Sequence, residues 1–304
     1  MSASAPPLPA ASAAHRRTGM VSRAGPRRPP TAKRATDRAL GYFLLVSLSL
    51  VSVAPLLWML VTAVRPQDEV FGGSLIPTHF SGVGYSNAVS QVDIFRNFFN
   101  SVEVVSATVL LTLFTSTLGG YAFAKLRFRF KTTIYMVLVS TLMLPAATIL
   151  IPLFIELKQF GLINSKPGLV LVYVATSTPF ALMLMRGFFV RIPGELRESA
   201  RVDGAREFLI FSRIMVPLAR SGIASVAIML FLFTWNEFLF AVTFIQNPPD
   251  ATIQPAIFSL VGQYSTDWPT LCASLTISVV PIIVAYVVLQ RHFVAGLTMG
   301  AVKG

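Results

Sequence analysis

The sequence is poor in the residues that build soluble catalytic sites. It has one cysteine, three histidines and 13 acidic residues among 304. Cys272 lies inside an apolar run, so there is no disulfide framework. His15, His79 and His292 fall in three separate segments, and spacing gives no metal site. Clustered His, Asp or Cys near a membrane interface, which a membrane enzyme would want, is absent. There is no G-x4-G-K-[ST] phosphate loop, so the chain has no means of its own to hydrolyse ATP. Strict apolar–polar alternation is also missing, which argues against a β-barrel. Only 12% of residues are charged, against about 25% in soluble domains.

What is present is hydrocarbon. Hydrophobic residues make up 54% of the chain, and six windows hold most of them: 41–63, 102–124, 132–155, 167–185, 221–245 and 269–290. The only charges in all six are Glu103 and Glu237. A bilayer crossing needs roughly 20 apolar residues, so the reading is an all-α membrane protein with six transmembrane helices.

Basic residues fix the expected orientation. The formal net charge is +12, carried by 25 Lys and Arg. Only Arg65, Arg96, Lys158 and Lys166 belong to segments 64–101, 156–166 and 246–268; the others sit in the N-terminal tail, the 125–131 loop, the 186–220 region and the C-terminus. The positive-inside rule then puts both termini in the cytoplasm. The same charges attract lipid headgroups. Nucleic acid is not an expected partner, because no basic patch is interleaved with exposed aromatics.

Residues 1–38, rich in Ala, Pro, Ser and Arg, read as a disordered cytoplasmic tail, and 39–304 as one six-span domain. The first apolar run is longer than a signal-peptide core and no A-x-A site follows, so an uncleaved anchor is expected. The loops 64–101 and 246–268 lie outside the cell. Pro55, Pro145, Pro152, Pro179 and Pro281 fall within the spans. Proline removes a helical hydrogen bond, and broken helices persist in lipid where the freed groups are buried or line a water-filled path. "LPAATILIP" and "ATSTPFA" make spans three and four the irregular ones.

The segment "ELRESARVDGAREFLIFSRIMVP", 195–217, is a charged island between oily runs. Ile192-Pro193-Gly194 ends the preceding helix, and Glu195 and Glu198 suit the start of a new one. Asp203-Gly204 is a turn dipeptide. Leu209, Ile210, Ile214 and Met215 give a second short helix an apolar face, and Pro217 opens the next span. The pattern is a helix–turn–helix along the cytoplasmic surface, with Ser199, Ala200 and Gly204 expected on one small-residue face. It is either an amphipathic anchor or a docking element for a soluble partner.

Deep in the fifth span, Glu237 would cost about 2.5–3.5 kcal/mol if it faced lipid, so it should face the bundle interior. Two roles stay open for Asn236 and Glu237: hydrogen bonds to substrate hydroxyls, or a tie to broken backbone near Pro145 or Pro179. Tyr173, Phe180, Phe233 and Trp235 are the aromatics available to stack on a pyranose.

Glu198-Ser199-Ala200, then Gly204, then nine residues, then Ile214-Met215-Val216-Pro217, resembles the E-A-A-x3-G-x9-I-x-L-P cytoplasmic loop of permease subunits in ABC importers. Ser199 and Val216 are conservative departures. Further strings resemble the maltose permease G-type subunits of binding-protein-dependent sugar importers: "FRNFFNS", "GGYAFAK", "LPAATILIPLF", "GLINS", "GFFVRIPGELRESARVDGA", "FTWNEFLFA", "GQYSTDW" and "GLTMGAVKG". The resemblance covers about residues 40–304.

It implies a type I ABC importer permease fold and uptake of a di- or oligosaccharide such as maltose or trehalose by alternating access. It also implies three kinds of partner: a second homologous permease subunit, two copies of a cytoplasmic ATPase that binds ATP and Mg, and an extracytoplasmic sugar-binding protein. This chain itself would hold no cofactor or metal. The coupling loop 191–217 would meet the ATPase through Glu198, Ser199, Ala200, Asp203, Gly204, Ile214 and Pro217. Pathway or gating roles fall to Asn236, Glu237, Trp235 and Pro179. Gln263, Tyr264 and Asp267 would touch the binding protein. A stand-alone channel or secondary transporter of a small polar solute is the competing reading.

Overall fold

The computed structural model describes residues 32–72, 77–262 and 265–301, with side chains described between 40 and 288. Among these residues all regular structure is helical. Gln263 and Tyr264, and residues 1–31 of the anticipated tail, lie outside the described residues. The chain divides into two units, Met1–Val53 and Ala54–Gly304. The described part of the first is the N-terminal portion of α1 (Ala32–Thr62), where Ser52 Oγ donates to the Leu48 carbonyl.

The second unit is built around two helices that run the same way. In α3 (Ile94–Lys125) and α6 (Lys166–Arg191), Glu103 pairs with Lys166 near one end and Gly120 meets Met185 near the other. A Cβ on Gly120 would lie 2.7 Å from Met185 Cβ and 2.9 Å from the Arg186 backbone nitrogen, so glycine is what lets the two backbones approach. Close small-residue contact replaces the hydrophobic drive that lipid cannot supply between membrane helices.

Parallel neighbours require a return crossing, and it is broken. It comprises α4 (Lys131–Ser140), a 3₁₀ turn (Thr141–Met143) and α5 (Ala146–Gln159), whose two legs bend by 105°. Pro145 has no N–H to give, and Leu144 before it is extended at ψ 121°. Ser140 and Thr141 spend their hydroxyls on the Val137 and Leu138 carbonyls, at 2.8 and 2.7 Å. The irregular third span expected from "LPAATILIP" is therefore there. In the fourth, Pro179 is accommodated within a continuous helix.

Beyond α6 come α7 (Glu195–Val202), α8 (Glu207–Ile210), a π turn (Phe211–Met215) and α9 (Val216–Leu218). The chain then bends by 74° into α10 (Arg220–Trp235). That helix stops at Asn236 and resumes as α11 (Leu239–Phe244). The outer connection carries α12 (Ile253–Phe258) and leads to α13 (Trp268–Ala301).

Among the described residues, four helices are long and apolar enough to cross a membrane, and two bent pairs raise the number to as many as six. The leg Glu207–Leu218 of the second pair is the charged segment itself. The apolar window 221–245 falls instead on α10, its break and α11.

Three larger clusters make the core. Val104, Leu169, Tyr173, Phe240 and Phe244 pack at the Lys166 end of α6. Tyr121, Met185, Phe189, Ala200, Ile210 and Met215 pack at its Arg191 end. Ile94, Val105, Trp235 and Ile253 bring α3, α10 and α12 together. Packing of these side chains, rather than their removal from water, holds the helices together where they lie in lipid.

Candidate functional site

The charged segment forms a hairpin anchored to the ends of α3 and α6. Within it Gly204 sits at φ +82°, donates its N–H to the Arg201 carbonyl, and the next residue, Ala205, donates to the Ala200 carbonyl. This is a left-handed helix stop, and an L side chain there would be strained by roughly 1–2 kcal/mol. A Cβ at Gly204 would meet nothing within 4 Å, so the surface above it is open.

Across the turn, Arg197 grips Glu207 with both arms of its guanidinium, Nε to Oε1 at 2.8 Å and a terminal nitrogen to Oε2 at 2.9 Å. Such a fork is stronger and more directional than a single ion pair. It holds the Glu207 carboxyl below its ordinary pKa range against the opposing effect of partial burial, and raises that of Arg197. The Tyr121 hydroxyl donates to the same carboxylate.

Two more ties come from the last turn of α3. Lys125 Nζ donates to the Ile192 carbonyl at the end of α6, where a cation also suits the helix dipole. Arg186 of α6 donates from Nε to the Phe123 carbonyl at 3.4 Å and lies 4.5 Å above the Tyr135 ring. Tyr121, Phe123 and Lys125 thus bind the hairpin and the end of α6 to one helix terminus.

The residues expected to meet a partner divide by exposure. Glu198, Ser199, Asp203, Gly204 and Pro217 are exposed, Ile214 is half-buried and Ala200 is buried. Ala200 packs inward with Ile210 and Met215, so it does not share an outer face with Ser199 and Gly204. The outer face also presents Val202 and Phe208, which are 87% and 74% exposed.

The second candidate site is the break after α10. Glu237 accepts from the Tyr173 hydroxyl at 2.6 Å and from the backbone N–H groups of Phe240 and Ala241 at 2.9 and 3.2 Å. It therefore caps α11 and ties that helix to α6, through Tyr173 rather than through backbone near Pro145 or Pro179. Trp235 is buried, donates to the Ser278 carbonyl at 3.1 Å, and accepts from Gln254 at its own carbonyl at 3.2 Å. Pro179 is buried as well. Asn236 is exposed beside them, its amide donating to the Leu232 carbonyl at 2.8 Å. Of the four aromatics, Tyr173 and Trp235 face inward. Phe180 and Phe233 form an edge-on pair 5.8 Å apart, with Phe233 59% exposed.

At the opposite end of the molecule, Asp267 caps α13. It accepts from the Thr270 N–H and hydroxyl and from Asn87. Gln67 bridges to the Thr266 carbonyl and the Trp268 N–H. The 246–268 connection is thereby fastened to the loop after α1.

The spacing rules used on the sequence could not find Tyr121, Arg197 or Glu207. Tyr121 and Glu207 are 86 positions apart. The Arg197–Glu207 pair spans a turn, not a helix face.

Comparison with known proteins places these sites in context. Residues 116–299 match the family described as binding-protein-dependent transport system inner membrane component. The chain is 32% identical over 278 residues to the diacetylchitobiose uptake system permease protein NgcG of Streptomyces coelicolor, covering 90% of this chain and 92% of that one. It is 32% identical over 276 residues to the trehalose transport system permease protein SugB of Mycobacterium tuberculosis, covering 90% and 99%. Its fold is similar to a chain in the crystal structure of a bacterial ABC transporter involved in the import of the acidic polysaccharide alginate. The TM-score is 0.76 at 20% identity, over 86% of this chain and 98% of that one.

Proposed function

From the premise that the chain belongs to the binding-protein-dependent transport inner membrane component family, we propose that it is one permease subunit of an ATP-driven sugar importer. With a second, homologous permease subunit it forms the pathway for a di- or oligosaccharide such as maltose or trehalose. The relatives named for diacetylchitobiose and trehalose support that class of cargo.

The observation that carries the reading is the hairpin α7–α9. Its outer face is exposed, while its inner face is bonded to α3 through Tyr121 and Glu207 and packs Ala200, Ile210 and Met215 against Met185 and Phe189 of α6. A soluble ATPase docked on Glu198, Asp203, Gly204 and Pro217 could thus move α3 and α6 together. Two ATPase copies, one per permease subunit, would bind ATP and Mg; this chain needs no cofactor. On this reading both termini and the hairpin are cytoplasmic, in accord with the basic residues clustered there. An extracytoplasmic sugar-binding protein would then meet the opposite end, near Asp267 and the segment that includes Gln263 and Tyr264.

The pathway would open and close by alternating access. ATP closes the ATPase dimer, the hairpins follow, and the cavity between the two permease subunits switches sides. Asn236, Phe180 and Phe233 are the side chains with surface free to face such a cavity. Trp235, Glu237 and Pro179 hold the broken helix beside it.

The test is purification of the tagged chain from membranes, followed by reconstitution and uptake of labelled disaccharides. Recovery of an ATPase and a second permease, with uptake dependent on ATP and binding protein, supports the proposal. Uptake by the lone chain, driven by an ion gradient, would overturn it.

A further inference from the structure

A cavity of about 650 Å³ lies between the α3–α4 turn and α7, and its lining includes Lys125, Arg127, Lys131, Arg197 and Arg201. Glu198 is the one acid in the lining. Glu195 lies close enough to influence Lys125, and Glu207 is already committed to Arg197. Five cations therefore face three acids. Lys125 and Lys131 hydrogen-bond neutral backbone carbonyls, of Ile192 and Leu126, which neutralise no charge.

The depth of the cavity is set by the chain. Only residues 126–130 separate the end of α3 from the start of α4, so the cavity lies where two membrane segments leave the hydrocarbon. The turn that supplies Arg127 is amphipathic: Phe128 and Phe130 are 41% and 63% exposed, and Arg129 lies 4.8 Å over the Phe130 ring. Basic pockets between membrane helices at this level suit phosphate-bearing headgroups.

We propose that this cavity binds a phosphate group, with the headgroup of an anionic phospholipid as the source that the exposed aromatics of the adjoining turn favour and free phosphate as the other source of the same chemistry. The bound oxygens would bridge Arg127 on the turn and Lys131 at the start of α4 to Arg201 on α7. An anion there fastens the hairpin to the membrane surface at a point the protein's own ion pairs leave open. This goes beyond sugar transport and does not depend on which solute is carried.

The test uses the full chain with its co-purifying subunits, reconstituted in phosphatidylcholine alone or mixed with phosphatidylglycerol. Lipid retained after detergent extraction is read by mass spectrometry. Broadening of the inorganic phosphate signal in ³¹P NMR, on lipid-depleted protein, reads the free-anion arm.

The double variant R127Q/R201Q removes two exposed cations of the cavity. R129Q removes one from the same loop but outside the lining, and serves as the control for folding and general surface charge. Retention of phosphatidylglycerol should fall about tenfold or more in R127Q/R201Q and less than about twofold in R129Q. Loss of phosphate broadening in the double variant, without lipid selectivity, would support the site with free phosphate as its occupant. Equal losses in both variants, or retention of the neutral lipid as strong as the anionic one with no phosphate response, would overturn the proposal.

Discussion

The Tyr121 hydroxyl, in the last turn of a membrane helix, donates to the Glu207 carboxylate just beyond the Asp203-Gly204 turn. Since Arg197 holds the same carboxylate by two bonds, three separate elements converge on one acid. Tyr121→Phe keeps the ring packing against Phe189 and Phe211 and removes only the donor. It should cost about 1 kcal/mol. Thermal unfolding of the purified assembly should fall by a few degrees, and uptake per ATP hydrolysed should drop more than hydrolysis itself. Unchanged coupling would separate this bond from transport.

Gly204 offers a cleaner separation of strain from docking. Ala and Leu at this position meet the same φ of +82° and the same open surroundings, so both should destabilise the isolated subunit by roughly 1–2 kcal/mol. If a partner seats over the turn, Leu alone should abolish coupling, with Asn the best tolerated replacement. Equal transport defects for Ala and Leu would show that nothing sits there.

Glu237→Gln tests a cap against a ligand contact. Losing the charge at the start of α11 should cost about 1 kcal/mol and lower uptake of every transported sugar by a similar factor. Competition assays with several disaccharides read the outcome, and a changed ranking of sugars would mean that Glu237 touches substrate.

Acidic pH should be felt first at two carboxylates outside the spans. Glu69 accepts from the Thr78 hydroxyl at 2.6 Å and N–H at 3.3 Å, and lies 2.9 Å from His79 Nδ1. Those bonds, Thr78 first and His79 second, lower it from 4.5 to about 2. A depressed folded pKa means that the stabilisation is present above the unfolded value and lost as pH falls through the folded one. The protection factor of the Thr78 amide, which donates to Glu69, should therefore hold from neutral pH to about 4.5 and fall progressively towards about 2. The hairpin should behave likewise, because Arg197 depresses Glu207 in the same direction. Glu69→Gln should remove the dependence in its own loop and leave the hairpin's intact.

Gly120→Ala should be far worse than its size suggests. The added carbon would stand 2.7 Å from Met185 Cβ and 2.9 Å from backbone, neither of which can swing away. Loss of about 2 kcal/mol or more is expected, with poor recovery of folded subunit from membranes. Gly187→Ala, where nothing lies within 4 Å, is the matched control and should be recovered normally.

Apolar windows and basic loops made the helices legible in the sequence, because burial in lipid leaves a one-dimensional signature. The Asp203-Gly204 turn was equally plain, since local backbone conformation selects those residues. Ala200 was misjudged because Ser199 and Ala200 are both small, and residue size alone does not say which one points into the core. Glu237 was recognised as needing partners, yet Tyr173 could not be named, because helix pairing across 64 positions has no local code. The break at 236–238 was not foreseen; it carries no proline, and its signal is a half-buried acid whose bonds cap the next short helix. For Asp267 the sequence suggests an outward contact, and the structure adds that its oxygens accept from Thr270 and from Asn87, the latter a pairing across 180 positions that has no local code either.

The glycine contact between α3 and α6 has a mechanical meaning. Two helices running the same way, locked backbone to backbone at one end and by Glu103–Lys166 at the other, cannot slide past each other without breaking both. They form a beam. The joints lie outside it, at 141–145 before α5, at 219 before α10 and at 236–238 after α10, where the helical ladder is already interrupted. On the proposed function, a push delivered to the hairpin reaches the bundle through those joints, and how far they flex sets the width of the passage.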